Sequence, residues 1–136
     1  MQQDDLCKDS ASLFLREQQF LDSKVKKLAL KDAQYHLLLC CHQTIPKCCT
    51  AEVGANSWEY LKKRIVELGL SKSVYRSRAN CLQICYSGPI LVVYPDGVWY
   101  RSCSAEIIER VLQEHILQGS PVTDYILCEK FLNKNG

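Results

Sequence analysis

The stretch from Ala79 to Tyr100, A-N-C-L-Q-I-C-Y-S-G-P-I-L-V-V-Y-P-D-G-V-W-Y, constrains the fold more than any other part of the chain. Gly88-Pro89 stops whatever element precedes it, because proline lacks an N–H and restricts the residue before it. Ile90 to Tyr94 follow as an unbroken apolar run of β-branched and aromatic character, which suits a strand covered on both faces. Pro95-Asp96-Gly97 predicts a turn: proline presets φ, aspartate caps, and glycine takes the left-handed position. Val98-Trp99-Tyr100 returns as the second arm of a hairpin. Cys81 and Cys85, with three residues between them, stand on the loop that feeds this hairpin. Two thiols on a loop anchored to a buried hairpin make a place where something can be held.

The chain has 136 residues, enough for one domain with a real core and a terminal extension. A net charge of +2 is too small to argue for nucleic acid. No run of about 18 apolar residues exists, so no membrane span is expected. Met1-Gln2-Gln3-Asp4-Asp5 is acidic and polar, the opposite of a secretory signal. The nine cysteines are the anomaly. Without an export signal, and with an odd count, a disulfide scaffold explains them poorly. Clustered cysteines in a reducing, cytoplasmic setting point instead to metal or redox ligation.

Residues from about Ser10 to Leu30 read as a helix, with Phe14, Leu21, Val25 and Leu28 forming one apolar stripe. Lys24, Lys26, Lys27 and Lys31 make its end basic, as a helix C-terminus favours. The stripe is expected to pack on the domain or on a partner, and the residues before Ser10 are expected to be mobile. Tyr35 to Leu39 form a short strand candidate ending in Cys40-Cys41-His42, followed by a loop with Pro46-Lys47-Cys48-Cys49. Asn56 with Glu59 predicts a capping box for a second helix, buried through Trp58, Leu61, Ile65 and Leu68 and stopped by Gly69. Ser73 to Arg76 predict another strand. After the hairpin, Ser104 predicts the cap of a third helix that faces inward with Ile108, Val111, Leu112 and Ile116 and ends at Gly119. Val122 to Cys128 offer an edge strand or a packed tail.

The order is therefore a helix, then β-α-β, then β-β-α. The fold class is α/β: a thioredoxin-like mixed sheet with flanking helices, plus an N-terminal helical extension. The boundaries expected are 1–33 for the extension, 34–128 for the domain and 129–136 for a tail. In such a unit the loop after the first strand and the loop before the hairpin lie at one end of the sheet. Thiolates from Cys40, from Cys48 or Cys49, and from Cys81 and Cys85 can then converge. Such a set suits a [2Fe-2S] cluster or tetrahedral zinc.

The pattern H-L-L-L-C, a following cysteine, N-C-L-Q-I-C-Y-S-G-P-I-L-V-V-Y-P-D-G-V-W-Y and E-H-I-L-Q-G-S-P-V resembles the thioredoxin-like [2Fe-2S] ferredoxins. These are small electron carriers related to the thioredoxin-like iron–sulfur subunit of respiratory complex I. The resemblance covers roughly Tyr35 to Leu127 and is most specific over the hairpin and the Cys-x-x-x-Cys pair. It implies a cluster near the surface, redox partner proteins as donor and acceptor, and commonly a homodimer. Carried over residue by residue, it implies Cys40, Cys49, Cys81 and Cys85 as the ligands. Cys49 stands nearer the family's spacing to the glycine opening the helix, here Gly54. Cys48 is the alternative, and gives the better interval to Cys81.

The remaining candidates have plainer explanations. Cys7, Cys103 and Cys128 lack partners at ligand spacing and are read as structural, small buried residues. Cys41 is one step out of register from Cys40 on an alternating strand, and His42 reads as a loop histidine. His36, His115, Trp58, Trp99 and Tyr94 read as core or interface residues, and Lys62-Lys63-Arg64 as a solvated helix face. Lys47, Arg76 and Arg78 flank the ligand loops and are candidate cations beside a cluster whose charge passes from about −2 to about −3 on reduction. No acid–base set for an enzyme is visible. A thiol-redox protein without a cluster is the alternative, weakened because no Cys-x-x-Cys pair opens a helix. A Cys₄ zinc interaction module is the other, weakened because only one half of the set is compact.

Overall fold

The computed structural model describes residues 2–41, 49–84 and 86–129, with side chains from Ser10 onward. Contacts divide the chain into two units, Met1–Asp32 and Ala33–Gly136.

The first unit is one helix, α1 (Gln2–Lys27), 26 residues long. It begins at Gln2 rather than Ser10, because nothing in the early residues breaks it and Asp4 and Asp5 suit the positive end of a helix. Ala29, at φ 54°, ends the run in a left-handed turn, and the Leu30 N–H donates to the Val25 carbonyl (3.2 Å). Along this helix Phe14, Leu21 and Leu28 are 65%, 54% and 48% exposed, and Val25 is half-buried.

The second unit is built on a five-stranded sheet in the order β2-β1-β3-β4-β5. Its strands are β1 (Tyr35–Cys40), β2 (Val74–Ala79), β3 (Leu91–Tyr94), β4 (Val98–Tyr100) and β5 (Ile126–Glu129). β1 and β2 run parallel, joined across helix α2 (Ala51–Glu67), and the remaining pairs are antiparallel. α3 (Ala105–Arg110) continues into a π-helical turn, Val111–Ile116, and a short 3₁₀ turn, Thr123–Tyr125, leads into β5. Of the two readings of Val122 to Cys128, edge strand or packed tail, the edge strand holds, over Ile126–Glu129.

Alternation along the strands divides the sheet into two faces. Leu37, Leu39, Leu91, Val93, Val98 and Tyr100 form the main core, covered by Trp58, Leu61 and Ile65 of α2 and by Ile107, Ile108, Val111 and Leu112. Cys40 and Ile90 form a second, smaller cluster with Cys49, Leu82 and Trp99 packed against it. Leu91, Val92 and Val93 are all fully buried, as a continuous apolar run predicts.

Local signals were mostly where the chemistry put them, with three exceptions. α2 is capped by Thr50, whose hydroxyl accepts from the Val53 N–H (3.2 Å), and not by Asn56. Glu59 pairs instead with Lys62 (3.0 Å), one turn along an exposed face. Ser104 holds the N-cap of α3 without a side-chain capping bond. β2 runs on to Ala79 because it must match the whole of β1 up to Cys40. Gly69, Gly97 and Gly119 all take positive φ at element ends. Lys62-Lys63-Arg64 is only partly a solvated face. Arg64 is largely covered and donates from Nε (2.9 Å) and Nη2 (2.7 Å) to the two carboxylate oxygens of Glu109 on α3.

The hairpin turn is fastened to the helix above it. The Val122 N–H donates to the Tyr100 hydroxyl (3.0 Å), leaving that O–H to donate to His115 Nδ1 (2.7 Å). The Nε2–H of His115 then donates to Asp96 Oδ2 in the turn (2.7 Å). His115 is buried, as a core histidine should be, and burial pushes the Tyr100 phenol up to about 12.

Candidate metal centre

The pairings His36↔Tyr94 and Leu39↔Leu91 put Cys40 at the end of the sheet away from the Pro95-Asp96-Gly97 turn. Cys40 is 2% exposed. Its N–H donates to the Ile90 carbonyl (2.9 Å), and it lies in register with Ala79, the last residue of β2. Its thiol donates to the Asn80 carbonyl, sulfur to oxygen 3.8 Å. Because β1 and β2 are parallel, both chains leave the sheet at the same end. Cys81 therefore enters its loop beside Cys40, although the two are far apart in sequence.

Cys49 returns to the same place from the other side. It packs against the Cys40–Ile90 cluster and stands immediately before Thr50, the N-cap of α2. The positive end of a helix favours a thiolate there. The helix can come this close because residue 54 is glycine. A Cβ on Gly54 would lie 2.9 Å from the Cys41 carbonyl oxygen and 3.2 Å from the Cys41 Cα, so any side chain would push α2 away from the turn after β1.

The loop after β2 is shaped around sulfur. Cys81 is exposed, and its sulfur accepts the Gln83 N–H at 3.2 Å. Gln83 (φ 69°) and Ser87 (φ 52°) both hold left-handed backbone conformations, which residues with a Cβ adopt only under constraint. The constraint past Ser87 is a clasp on the end of β4. There Ser102 N–H donates to the Ser87 carbonyl (2.7 Å) and Cys103 N–H to the Pro89 carbonyl (2.9 Å). An N–H donated to sulfur favours the thiolate over the thiol, which is the form a metal ligand needs.

Cys40, Cys49 and the Cys81 loop are thus brought to one end of the sheet. Cys48 and Cys85, together with His42 and Lys47, lie outside the described residues. Among the described residues no three His, Cys, Asp or Glu side chains gather closely enough to hold a metal ion. The donor set fits an iron–sulfur group in kind: thiols on neighbouring loops, a backbone N–H aimed at sulfur, and partial exposure on the Cys81 side.

The other candidates are placed elsewhere. Cys41 is buried in the main core. Cys103 is fully buried, and desolvation pushes its thiol far above the usual range. Cys128, expected to be buried, is exposed because β5 is an edge strand with little covering it. His36 lies on the second face of the sheet with Nε2 2.8 Å from the Ser77 hydroxyl and its ring edge-on to Tyr75 (5.0 Å); burial lowers its pKa. Arg76 and Arg78 do not point towards the Cys40 face. Their registers with Leu37 and Leu39 turn them to the α2 side, where their guanidinium groups stack on Trp58 at 5.7 and 5.5 Å from the ring centre. The roles of Gln83 and of the Ser102–Cys103 clasp escaped the sequence, where neither residue type carries a signal. Gly54 did carry one, since a glycine inside a helix costs stability and implies a close approach.

A scan against protein-family models finds no match. A 2Fe-2S ferredoxin of Clostridium pasteurianum is 40% identical over 70 residues, covering 49% of this chain and 69% of that protein. A 2Fe-2S ferredoxin of Aquifex aeolicus is 38% identical over 50 residues, 37% of this chain and 45% of the relative. Among solved structures, a thioredoxin-like [2Fe-2S] ferredoxin from Aquifex aeolicus superposes with a TM-score of 0.65 at 24% identity, over 71% of this chain and 93% of that one. A second structure from that organism, the wild-type thioredoxin-like [2Fe-2S] ferredoxin, gives 0.63 at 24% identity, over 71% and 98%.

Proposed function

The chain belongs to the thioredoxin-like [2Fe-2S] ferredoxins, and from that membership we propose a one-electron carrier whose cluster is held by Cys40, Cys49, Cys81 and Cys85. One observation carries the ligand assignment: the parallel pairing of β1 with β2 delivers Cys40 and the Cys81 loop to the same end of the sheet, where Cys49 packs. When bound, the cluster supplies one-electron chemistry, with four thiolates as its protein ligands. To ligate it, Cys40, held in register beside Ile90 and Ala79, would give up its thiol proton and the bond to Asn80. The Gln83 N–H stabilises the added negative charge at Cys81. Cys81, which is exposed, would then lie on the side of the cluster open to a redox partner.

The protein is a carrier and not itself an enzyme; its donor and acceptor are redox proteins, one of them an oxidoreductase. Residues 34–128 form the cluster domain and 1–33 an extension. The carrier acts as a homodimer in the cytoplasm, where reducing conditions keep unligated thiols as thiols. The test is purification without oxygen, followed by iron and acid-labile sulfide analysis, a visible spectrum, and electron paramagnetic resonance after reduction. A brown protein with about two irons and two sulfides per chain is expected. A colourless, iron-free preparation would overturn the reading, and stoichiometric zinc would replace it with a structural zinc module.

A further inference from the structure

The positive charge of the chain is gathered in one stretch. Residues 61–80 hold six of its 17 lysines and arginines and one of its 15 acids, so the remainder is net negative. The stretch runs through the C-terminal part of α2 and along β2, an edge strand of the sheet, and stops immediately before Cys81. Its cations are treated in two ways. On α2, Lys63 reaches Glu67 (3.8 Å) and Arg64 is held by Glu109 (2.7 Å). On β2, Arg76 and Arg78 form no ion pair among the described residues, and the buried Nε of Arg76 has no hydrogen-bond partner there. Both guanidinium groups converge with Lys62 on the ring of Trp58, at 5.7, 5.5 and 6.0 Å from its centre. Glu59, 3.0 Å from Lys62, is the one carboxylate paired with any of the three.

One guanidinium is enough to cap an indole, and a charge on an edge strand keeps it from pairing with stray strands. Neither purpose calls for three cations on one ring, where they repel one another. An acid supplied from outside relieves that repulsion. Place decides what kind of acid. Arg78 is three residues from Cys81, at most about 10 Å along the chain, and Cys81 is exposed. A macromolecule that lays carboxylates on this patch therefore stands beside the cysteine end of the sheet. Three cations on a chain of net charge +2 are too few to hold a run of phosphates in nucleic acid at physiological salt. They suit a small, brief, salt-sensitive contact between proteins, as redox encounters are.

We propose that Lys62, Arg76 and Arg78 form the docking surface for an acidic redox protein, on the sheet edge next to the cluster end. This rests on the carrier function, while every residue of the surface belongs to the sheet unit. The first test is binding of a fluorescein-labelled glutamate peptide to the full-length protein, with and without its cluster, by fluorescence anisotropy at low salt. Arg76→Glu with Arg78→Glu is expected to weaken binding by at least about tenfold. Lys24→Glu with Lys27→Glu changes the net charge equally on α1 and should stay within about twofold of the parent. Circular dichroism confirms that each variant is folded. Equal losses in the two double variants would overturn the proposal. So would a parent that binds no better than the β2 variant, the result if acids of α1 hold the patch. Tighter binding of a single-stranded oligonucleotide of equal charge would overturn it in favour of nucleic acid.

The second test is stopped-flow oxidation of the reduced, cluster-loaded protein. Anionic cobalt(III)-EDTA and cationic hexaamminecobalt(III) each take one electron and become cobalt(II). At low salt the Arg76→Glu, Arg78→Glu variant should be oxidised about tenfold more slowly by the anion and no more slowly by the cation, and the difference should fade at high salt. Unchanged rates with both oxidants would overturn docking beside the cluster. A protein that takes up no iron fails as a carrier instead, and the peptide result then shows by itself whether the patch binds acid.

Discussion

The two ends of the central sheet are built from the same strands and solved in opposite ways. At the turn end, Asp96, His115, Tyr100 and the Val122 N–H satisfy one another in a closed chain of short hydrogen bonds. Little is left there for a ligand to bind. At the cysteine end the chain spends two left-handed residues, Gln83 and Ser87, and exposes Ile84 and Tyr86 to water. Its hydrogen bonds hold the loops and aim one N–H at a sulfur. The two ends are joined through the paired strands β3 and β4.

That contrast can be broken or sharpened by substitution. The largest effect is expected at the ligands. Cys81→Ser and Cys85→Ser should each lower iron per chain by at least about tenfold, while Cys103→Ser retains it; equal iron in all three would remove the ligand assignment. Cys49→Ser should lose more iron than Cys48→Ser when the two are measured side by side. If both keep full iron, neither is required.

Next comes Gly54→Ala, which pits a new methyl group against the Cys41 backbone. A cost of about 2 kcal/mol in urea unfolding is expected, with weakened iron retention, because α2 must retreat from the cysteine end. Tyr100→Phe acts at the other end. It leaves His115 Nδ1 and the Val122 N–H short of a partner and should cost about 1–3 kcal/mol with no change in iron content. If Tyr100→Phe also empties the cluster, the two ends are not separable.

The smallest effect is expected at Glu109, whose carboxyl Arg64 holds below its ordinary value of 4.5 by hydrogen bonding. A carboxyl depressed in the folded state adds stability above its unfolded pKa and loses it as pH falls through the folded one. Acid unfolding curves of Glu109→Gln should therefore be flatter below the ordinary glutamate range than those of the parent. The opposite slope would show that Glu109 is not ion-paired in solution.

Much of the domain was legible because its signals are local. Pro95-Asp96-Gly97 marked the hairpin, with Gly97 at φ 70°, and the buried faces of α2 and α3 followed from residue spacing. The start of α2 was not legible, because Asn56 and Glu59 imitate a capping box while Thr50 does the capping in an otherwise unremarkable loop. The direction of Arg76 and Arg78 was misjudged for a different reason. Proximity in sequence to Cys81 says nothing about face, and the parallel register with Leu37 and Leu39 turns both to Trp58. Exposure of Cys128 could not be read either, since an edge and an interior strand share a composition. The choice between Cys48 and Cys49 rests on loop register, which hydrogen bonds and packing decide and sequence does not.

The parallel pairing of β1 with β2 also bears on when the binding place comes into being. β3 and β4 meet across a tight turn, so their contacts form at small entropic cost; β1 and β2 meet only after the whole of α2 has folded back. Cys40 and Cys81 are strangers until that crossover closes. Were both to hold the cluster as proposed, their site would be complete only with α2 in place between the two strands.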